Sequence, residues 1–292
     1  MDLDQLYTTY QPMLQSIAYR MLGSISESED VVHDVFLEFV QSQREHVQNE
    51  KGYLIRSVTN RCINLLKSAR KRRELYVGPW LPEPQVTDIH QTPDQLLEMR
   101  ESVSYALLVL MEQLSPLERA VFILKDTLGY SHEDIADILQ KTTVSCRKIY
   151  SRTKQKLQPE LTHAEEQAEL AEQLSASFIA ATQSGDFLSF IEHITENAVL
   201  LTDGGGRVRA AINPIYGKAR ILAFLEGIYA KGSYAGTKKL ISVNGQQGAW
   251  IVTKDQILTI VCFQFDPQLH KAQHIYFMKN PDKLTHVLQS QV

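Results

Sequence analysis

The sequence predicts two all-α domains followed by an α+β domain in a chain of 292 residues. Apolar residues recur at helical spacing through residues 1–75 and again through residues 101–158. Between these stretches, residues 76–100 hold four of the ten prolines, and proline interrupts regular helix. In residues 169–292, helical stretches are followed by short runs of β-branched and aromatic residues, which favour strands. A chain of this length ordinarily contains two or three domains.

The first domain, residues 1–75, should contain three helices. Gly23 should end the first helix, because glycine accepts the backbone conformation found at helix ends. Ser26 and Glu29 have the spacing of a capping box, which would start the second helix. The third helix should run from about residue 52 to about residue 70.

The second domain, residues 101–158, has the layout of a helix-turn-helix. Ser115 precedes a proline and marks a helix start, and Ser131 caps a shorter helix. A turn at residues 140–142 separates this short helix from a basic helix that should enter the major groove of DNA. The core between the two helices should consist of Ile135, Ala136, Leu139 and Ile149.

The third domain should follow a second linker at residues 159–168. Its predicted helices are 170–182, 187–194 and 219–230, and its predicted strands are 198–202, 249–253, 257–265 and 273–279. The glycine run at residues 203–206 predicts an exposed turn. Helices followed by an antiparallel sheet indicate an α+β domain.

Charge is unevenly distributed, although the net charge of the chain is only −4. Residues 24–50 contain seven acidic residues and one basic residue, whereas residues 51–74 contain eight basic and one acidic. Residues 141–158 contain six basic residues and no acidic residue. An acidic block followed by two basic blocks predicts a protein partner and nucleic-acid contacts within one chain.

Membrane insertion, secretion and metal binding are not indicated. The N-terminus lacks the basic start and apolar core of a signal peptide, and no apolar run approaches the roughly 20 residues of a membrane span. The cysteines, Cys62, Cys146 and Cys262, lie far apart without metal-ligand spacing. We therefore expect reduced thiols in a cytoplasmic protein that needs no metal and no cofactor.

The basic helix of the second domain carries side chains suited to DNA. Arginine and lysine pair with phosphates and guanine edges, and serine and threonine reach either. A surface helix with solvated charges is the alternative, but the absence of acids and the capped helix before it favour DNA binding. The predicted contact residues are Thr143, Ser145, Arg147, Lys148, Ser151, Arg152 and Lys154.

The third helix of the first domain carries a different set of nucleic-acid-binding side chains. Helical spacing puts Arg56, Asn60 and Asn64 near one face, and Tyr53 could stack on an unpaired base. These residue types suit a melted DNA strand. A basic run that only solubilises its helix is the alternative.

The first two domains resemble regions 2 and 4 of extracytoplasmic-function (ECF) sigma factors, which direct bacterial RNA polymerase to promoters. SESEDVVHDVFLEF resembles the helix that binds the β′ clamp helices, and KGYLIRSVTNRCINLLKSARKRRE resembles the part that melts and reads the minus-ten element. The second domain resembles region 4, which reads the minus-thirty-five element and contacts the β flap. The resemblance implies core RNA polymerase and promoter DNA as partners, and no catalytic residue, because the polymerase performs the chemistry.

The resemblance also assigns residues to two sites. The core-polymerase site would comprise Glu29, Asp30, Val31, Asp34, Val35, Phe36 and Glu38. The minus-ten site would comprise Tyr53, Arg56, Asn60, Arg61, Asn64, Lys67, Arg70, Arg72 and Arg73. Two residues depart from the common pattern, since His33 stands where glutamine is common and Gln140 replaces the usual glycine of the turn.

The third domain resembles a SnoaL-like domain, a cone-shaped α+β fold that is fused to one sub-group of these sigma factors. The resemblance rests on three motifs: WLPEP, NPDKL, and DGGGRV, in which arginine stands where lysine is commoner. It implies that the domain inhibits or assists the sigma domains in cis, without a separate anti-sigma factor. The regulatory residues would be Trp80, Leu81, Pro82, Glu83, Pro84, Asp203, Gly204, Gly205, Gly206, Arg207, Asn280, Pro281, Asp282, Lys283 and Leu284. We expect DGGGRV to contact WLPEP; otherwise WLPEP is only a spacer and DGGGRV only a turn.

Three other functions fit parts of the sequence. An enzyme would need a catalytic acid or base such as Asp203 or His193, and an exposed glycine turn does not suit that role. A ligand sensor would line a pocket with Phe263, Phe265 and Tyr276, although aromatic residues in strands more often form core. A two-domain DNA-binding repressor would share the helix-turn-helix but would leave the acidic helix of the first domain unexplained.

Overall fold

The computed structural model describes residues 3–41, 49–73, 75–87, 103–161 and 164–289. The chain forms two compact units, which we call the helical unit (Met1–Leu75 with Leu110–Gln158) and the sheet unit (Tyr76–Val109 with Pro159–Val292). Helical domains followed by a sheet-rich C-terminal domain confirm the predicted fold class.

The helical unit opens with three helices, α1 (Leu3–Leu22), α2 (Ile25–Gln41) and α3 (Glu50–Arg73). Gly23 ends α1 with a φ of 66°, as predicted. The prediction that Ser26 caps α2 is wrong, because the helix already begins at Ile25. The residue before it, Ser24, is the cap, and its Oγ accepts a hydrogen bond from the N–H of Glu27 at 3.3 Å.

Helix α4 (Tyr105–Met111) belongs to the sheet unit up to Val109 and to the helical unit from Leu110. The helical unit continues with α5 (Pro116–Phe122), α6 (His132–Leu139) and α7 (Thr143–Leu161), and a π-helical turn at Ile123–Thr127 extends α5. Both predicted caps are confirmed. Ser115 forms a capping box with Glu118, and Ser131 forms one with Asp134. These boxes satisfy backbone N–H groups that the first helical turn leaves without partners.

The core between α6 and α7 contains Ile135, Ala136 and Leu139, as predicted. On α7, however, the fully buried residue is Cys146, and Ile149 is only half-buried. Cys146 lies three positions before Ile149, so both face the same side of the helix. The small thiol of Cys146 therefore occupies the central core position that was predicted for Ile149.

The sheet unit contains a seven-stranded sheet in the order β1-β4-β5-β6-β7-β2-β3. The strands are β1 (Val86–Thr87), β2 (Ile194–Asp203), β3 (Ile215–Tyr216), β4 (Gly236–Val243), β5 (Gln246–Thr253), β6 (Leu258–Asp266) and β7 (Lys271–Met278). Neighbouring strands are antiparallel, except that β2 runs parallel to β7 with Leu200 beside Ile275. The prediction of an antiparallel sheet is therefore wrong for the β2–β7 pair.

Both faces of the sheet are covered. The unit's helices are α8 (Ala164–Ser184), α9 (Leu188–Glu192), α10 (Lys218–Ala230) and α11 (Pro281–Gln289). On one face α8, α9 and α10 bury an aromatic-rich core around Phe178. On the other face the buried residues include Leu81 and Tyr105, which precede the third domain in sequence, and Leu284 and Val287 of α11. Residues from the first predicted linker thus belong to the core of the sheet unit.

The two predicted linkers contain regular structure. Strand β1 lies within the first linker and pairs with β4, and residues 88–102 lie outside the described residues. Helix α7 extends to Leu161 and α8 begins at Ala164, so helix occupies most of residues 159–168.

In the part of the chain that the structure describes, no helix has the length and apolar character needed to cross a membrane. The same residues contain no cluster of three or more side chains suited to a metal ion. Cys62, Cys146 and Cys262 are buried free thiols, as predicted. Burial raises the pKa of the Cys62 thiol to about 12, which keeps it protonated and unreactive.

Candidate functional sites

The acidic face of α2 is exposed. Glu29, Asp30 and Glu38 lie at the surface and Asp34 is half-buried, whereas the apolar members of the predicted core-polymerase site face inward. Those buried members are Val31, Val35 and Phe36. They hold α2 against the bundle core and leave its acidic side chains to meet a partner.

Arg61 of α3 links two of these acids. Its guanidinium lies 2.5 Å from Asp34 and 2.6 Å from Glu38. Residues predicted for DNA and for polymerase are therefore paired with one another in this structure. The pair orients the Asp34 and Glu38 carboxylates, and the assignment of Arg61 to the minus-ten site stays a prediction.

The nucleic-acid face predicted on α3 is a continuous strip. Asn60, Asn64 and Lys67 are exposed, and Arg56 at the head of the strip is half-buried. The ring of Tyr53 packs on Phe39, with centroids 5.5 Å apart, so its position is defined by the bundle core. The side chains of the remaining predicted members lie outside the described residues: Arg70, Arg72 and Arg73.

The helix-turn-helix turn is built on Gln140. This residue adopts the left-handed conformation, with φ 52° and ψ 51°, at the C-terminal end of α6. The N–H groups of Gln140 and Lys141 both donate to the carbonyl of Ala136. Thr142 then caps α7, accepting a hydrogen bond at its Oγ1 from the N–H of Ser145 at 3.2 Å. The geometry expected with glycine is thus reached with glutamine.

The outer face of α7 carries the predicted minus-thirty-five residues. Its exposed members are Arg147, Lys148, Ser151, Arg152 and Lys154, and its half-buried members are Thr143 and Ser145. Arg147 donates to Glu133 of α6 at 2.9 Å, although both side chains are largely exposed. The pKa of Glu133 is lowered, first by a backbone hydrogen bond and then by Arg147. An exposed pair of this kind adds little stability, and the assignment of Arg147 to the minus-thirty-five site stays a prediction.

In the sheet unit, WLPEP, DGGGRV and NPDKL meet at Asp203. The Asp203 side chain is 1 % exposed, which overturns the expectation of an exposed acid in a glycine turn. Its carboxylate accepts hydrogen bonds from the hydroxyl of Tyr76 (2.6 Å), the N–H of Leu81 (2.9 Å) and the N–H of Gly205 (3.0 Å). Lys283 adds an ion pair at 2.7 Å. The expected contact between DGGGRV and WLPEP is present in the structure.

Lys283 of NPDKL is the second centre of this cluster. Its ammonium also donates to the carbonyl of Leu81 and lies 4.0 Å from the ring centroid of Trp80 and 4.9 Å from that of Tyr76. These contacts combine an ion pair with cation–π interactions away from bulk water. Burial, followed by the hydrogen bond to Asp203, raises the pKa of Tyr76, so the hydroxyl stays a donor.

The glycines of DGGGRV allow the close approach of NPDKL. Gly205 has a φ of 58°, and a Cβ built on it would lie 2.3 Å from Nδ2 of Asn280. That amide donates to the Tyr76 hydroxyl at 2.8 Å. At the edge of the cluster, Arg207 forms an exposed ion pair with Asp282 at 3.1 Å.

The remaining WLPEP residues are fixed by backbone contacts. The carbonyl of Pro82 accepts from the Tyr105 hydroxyl at 2.8 Å, and that of Pro84 lies 2.9 Å from Nε2 of His286. Glu83, another predicted regulatory residue, is buried. Tyr76, just before the motif, is a member of the cluster that the sequence did not point to, because nothing in its local pattern indicates a partner 127 residues away.

The enzyme and ligand-sensor alternatives gain no support from the sheet unit. Four donors already bind the two oxygens of the Asp203 carboxylate. The carboxylate is therefore not available to take a proton from a substrate as a general base. Phe263 and Phe265 are buried in the aromatic core around Phe178, whose ring lies within 6.4 Å of five neighbouring rings. Tyr276 is buried on the opposite face and donates to Gln264 at 2.6 Å. These aromatic residues are core.

Comparisons with known proteins agree with this architecture. The model of sigma-70 region 2 matches residues 6–72, and that of sigma-70, region 4 matches residues 104–157. The ECF RNA polymerase sigma factor SigJ of Mycobacterium tuberculosis is 28% identical over 243 residues, which is 81% of this chain and 77% of that protein. The probable ECF RNA polymerase sigma factor SigI of the same organism is 25% identical over 258 residues, 79% of this chain and 88% of that protein. The crystal structure of SigJ superposes with a TM-score of 0.74 at 22% identity, covering 96% of this chain and 98% of that chain.

Regions 2 and 4, in this order and with these folds, define a sigma factor of the sigma-70 type. Within that class the chain is an ECF sigma factor, and its whole length, including the sheet-rich C-terminal domain, has the fold of SigJ. Sigma factors initiate transcription and are not enzymes in themselves.

Proposed function

We propose that this protein binds core RNA polymerase through α2, reads the minus-ten element with α3 and the minus-thirty-five element with α7, and is regulated in cis by its SnoaL-like domain. The proposed regulation in cis is supported by one observation, the cluster of contacts around Asp203 and Lys283. It binds WLPEP, which lies in the connection between region 2 and region 4. Promoter recognition is supported by the matched regions and by the exposed basic faces of α3 and α7.

Core binding is supported by the exposed acids of α2, which suit a basic partner surface. We expect Asp30→Asn combined with Glu29→Gln to weaken association with core polymerase, because both carboxylates are exposed and outside the Arg61 pair. Gel filtration with core polymerase measures this. Asp255→Asn removes an exposed carboxylate of the sheet unit and should leave association unchanged. A repressor that acts without polymerase would be indifferent to both changes.

Regulation in cis is supported by the way WLPEP is bound. The motif can reach a different position only if the Leu81 N–H and the Lys283 ammonium lose their partners. The SnoaL-like domain therefore controls the freedom of the chain between the two promoter-reading regions. Such control needs no separate anti-sigma factor, since the restraining surface is part of the same chain.

The test of this regulation is transcription in vitro from a cognate promoter with Lys283→Met, at equal occupancy of core polymerase. A rise in transcript identifies the SnoaL-like domain as a restraint, and a fall identifies it as an assisting domain. Unchanged output would contradict regulation through this cluster. Arg207→Met, which removes only the exposed pair with Asp282, is the matched control.

Point variants are better probes than truncation after region 4. A chain that ends near residue 158 would lose β4 to β7 and α11, which cover Leu81 and Tyr105. Both residues are 1 % exposed in the full chain, so truncation would leave apolar surface facing water. Aggregation of such a fragment would be mistaken for a regulatory effect.

A further inference from the structure

Helix α7 bears one exposed apolar residue in its first turn, Val144, which is 60 % exposed. Folding gives no reason for valine at this position. It is outside the core, and a β-branched residue is a weaker helix former than alanine or a straight polar side chain. A valine whose γ-methyl groups face outward has a role only if something apolar meets it.

The position of Val144 on α7 shows which face of the helix it occupies. Successive helical residues are about 100° apart, so Val144 lies about 200° around the helix from the fully buried Cys146. Lys148, Ser151 and Gln155 follow at four, seven and eleven residues, and all are exposed. Val144 is thus the N-terminal member of the strip that points directly away from the core.

The neighbourhood of this strip has the charge of a DNA-binding surface. Residues 141–158 contain six basic residues and no acidic residue. In a helix-turn-helix, the N-terminal residues of the second helix contact base edges in the major groove. The one apolar group exposed on those edges is the C5-methyl of thymine, and small apolar side chains are its usual contacts.

We infer that Val144 is a specificity-determining residue that contacts the C5-methyl group of a thymine in the minus-thirty-five element. The inference rests on the proposed reading of that element by α7. It adds Val144 to a set of predicted contacts that were all polar or charged. Burying one methyl group contributes roughly fourfold in affinity, which sets the size of the expected effect.

The test compares thymine with deoxyuridine, which differs only by that methyl group. Holoenzyme assembled from core polymerase and the full chain is first used to select promoters from randomised DNA. Each thymine of the selected minus-thirty-five element is then replaced singly by deoxyuridine, and holoenzyme affinity is measured. We expect about a fourfold loss at one thymine for the natural chain and a smaller loss at that thymine for Val144→Ala, because alanine lacks both γ-methyl groups. Val144→Thr keeps one γ-methyl group and should keep the loss.

Controls separate this contact from folding and from other interfaces. Leu269→Ala changes a residue of the same 60 % exposure in the turn between β6 and β7, and should retain the full deoxyuridine effect. Equal deoxyuridine effects in Val144→Ala and the natural chain would overturn the inference, as would indifference of the natural chain to every substitution. Weaker core binding by Val144→Ala, with its deoxyuridine effect intact, would assign Val144 to a protein interface instead. Failure to select any promoter would overturn the proposed function itself.

Discussion

Gln140 is the most strained residue of the helix-turn-helix. A residue with a Cβ pays roughly 1–2 kcal/mol in the left-handed conformation, which glycine adopts freely. The neighbouring hydrogen bonds to the Ala136 carbonyl require this conformation, because they close the end of α6. The turn therefore keeps its geometry at a cost in stability.

Replacing Gln140 with glycine should stabilise the helical unit. The relief of strain exceeds the roughly 0.5–1 kcal/mol that glycine loses through unfolded-state entropy, so we expect a net gain of about 0.5–1 kcal/mol. Urea unfolding followed by far-UV circular dichroism measures it. Gln140→Ala keeps the Cβ and should give no gain; an equal gain from alanine would show that the left-handed conformation is not the source of the strain.

Glu118 couples α5 to α7 and makes the stability of region 4 depend on pH. The hydrogen bond from Lys156, at 2.7 Å, is the main cause that lowers the pKa of Glu118 to about 2. A carboxylate whose folded pKa is depressed contributes stability above its unfolded pKa of about 4.3, and that contribution is lost as the pH falls toward 2.

Glu118→Gln keeps the capping box but removes the ion pair with Lys156. At pH 7 we expect a loss of about 1 kcal/mol, a modest value because the Lys156 side chain is half exposed. The difference between the variant and the natural chain should stay constant above about pH 5 and close as the pH approaches 2. Unfolding midpoints across this range measure it. A gap that persists at low pH would assign the loss to the cap rather than to the charge.

Asp203 shows where residue-level prediction from sequence stops. Three adjacent glycines correctly predict a turn, and Gly205 and Gly206 do have positive φ. The burial of Asp203 depends instead on Tyr76 and Lys283, which are 127 and 80 residues away. The residues next to Asp203 in the sequence do not indicate such distant partners. For the same reason the ion pairs of Arg61 could not be predicted, because both carboxylates lie on another helix.

At the level of secondary structure, the side chain of Arg119 connects a helix of region 2 with helices of region 4. Although charged, it is 2 % exposed on α5. Its guanidinium donates to the carbonyls of Met21, at the end of α1, and Met111, at the end of α4, and pairs with Glu112 at 2.8 Å. The C-terminal ends of two helices thus direct carbonyl oxygens, and the negative ends of their dipoles, toward one cation.

Replacing Arg119 with methionine should destabilise the helical unit strongly. The change removes the ion pair with Glu112 and both hydrogen bonds to backbone carbonyls at a site that is 2 % exposed, so we expect a loss of about 3 kcal/mol. Far-UV circular dichroism registers both units, whereas tryptophan fluorescence registers the sheet unit, which holds Trp80 and Trp250. The circular dichroism midpoint should fall with little change in fluorescence.

The matched control is Arg147→Met, which breaks an exposed pair with Glu133. Both side chains of that pair are largely exposed, so breaking it should change stability little. Equal losses from the two variants would mean that the buried position of Arg119 adds nothing to stability.

Helix caps and runs of β-branched residues correctly predicted most helices and strands. The helices and strands that lack such local patterns were missed. The capped helices α5 and α6, and strands β5 to β7 with their β-branched runs, follow from sequence patterns. Strand β4 begins Gly-Thr-Lys-Lys, so its apolar run is short, and α11 begins at Pro281 and is only nine residues long. The parallel pairing of β2 with β7 depends on chain topology, which no local pattern specifies.

At the scale of the whole molecule, the segment between regions 2 and 4 is part of the sheet unit. Strand β1 pairs with β4, and the N–H of Asn244 donates to the carbonyl of Gln85 at 2.8 Å. Leu81 and Tyr105 are buried on the second face of the sheet. The described part of this segment is therefore a folded layer of the sheet unit, and its release must break buried contacts.

The order in which those contacts break can be tested with Asp203→Asn. The amide leaves Lys283 without its carboxylate at 11% exposure, so we expect the sheet unit to lose about 3 kcal/mol, measured by tryptophan fluorescence during urea unfolding. In hydrogen exchange, the Leu81 N–H should lose protection, because it donates to Asp203 itself. The Asn244 N–H should lose much less, because its acceptor is the backbone of Gln85 in the β1–β4 pair.

This pattern would show that WLPEP can detach while β1 stays in the sheet. Asp282→Asn, which removes only the exposed pair with Arg207, should leave both amides protected. Equal loss of protection at Leu81 and Asn244 would instead show that the whole segment leaves as one cooperative unit. In that case the apolar face around Tyr276 and Met278 would open to water together with it.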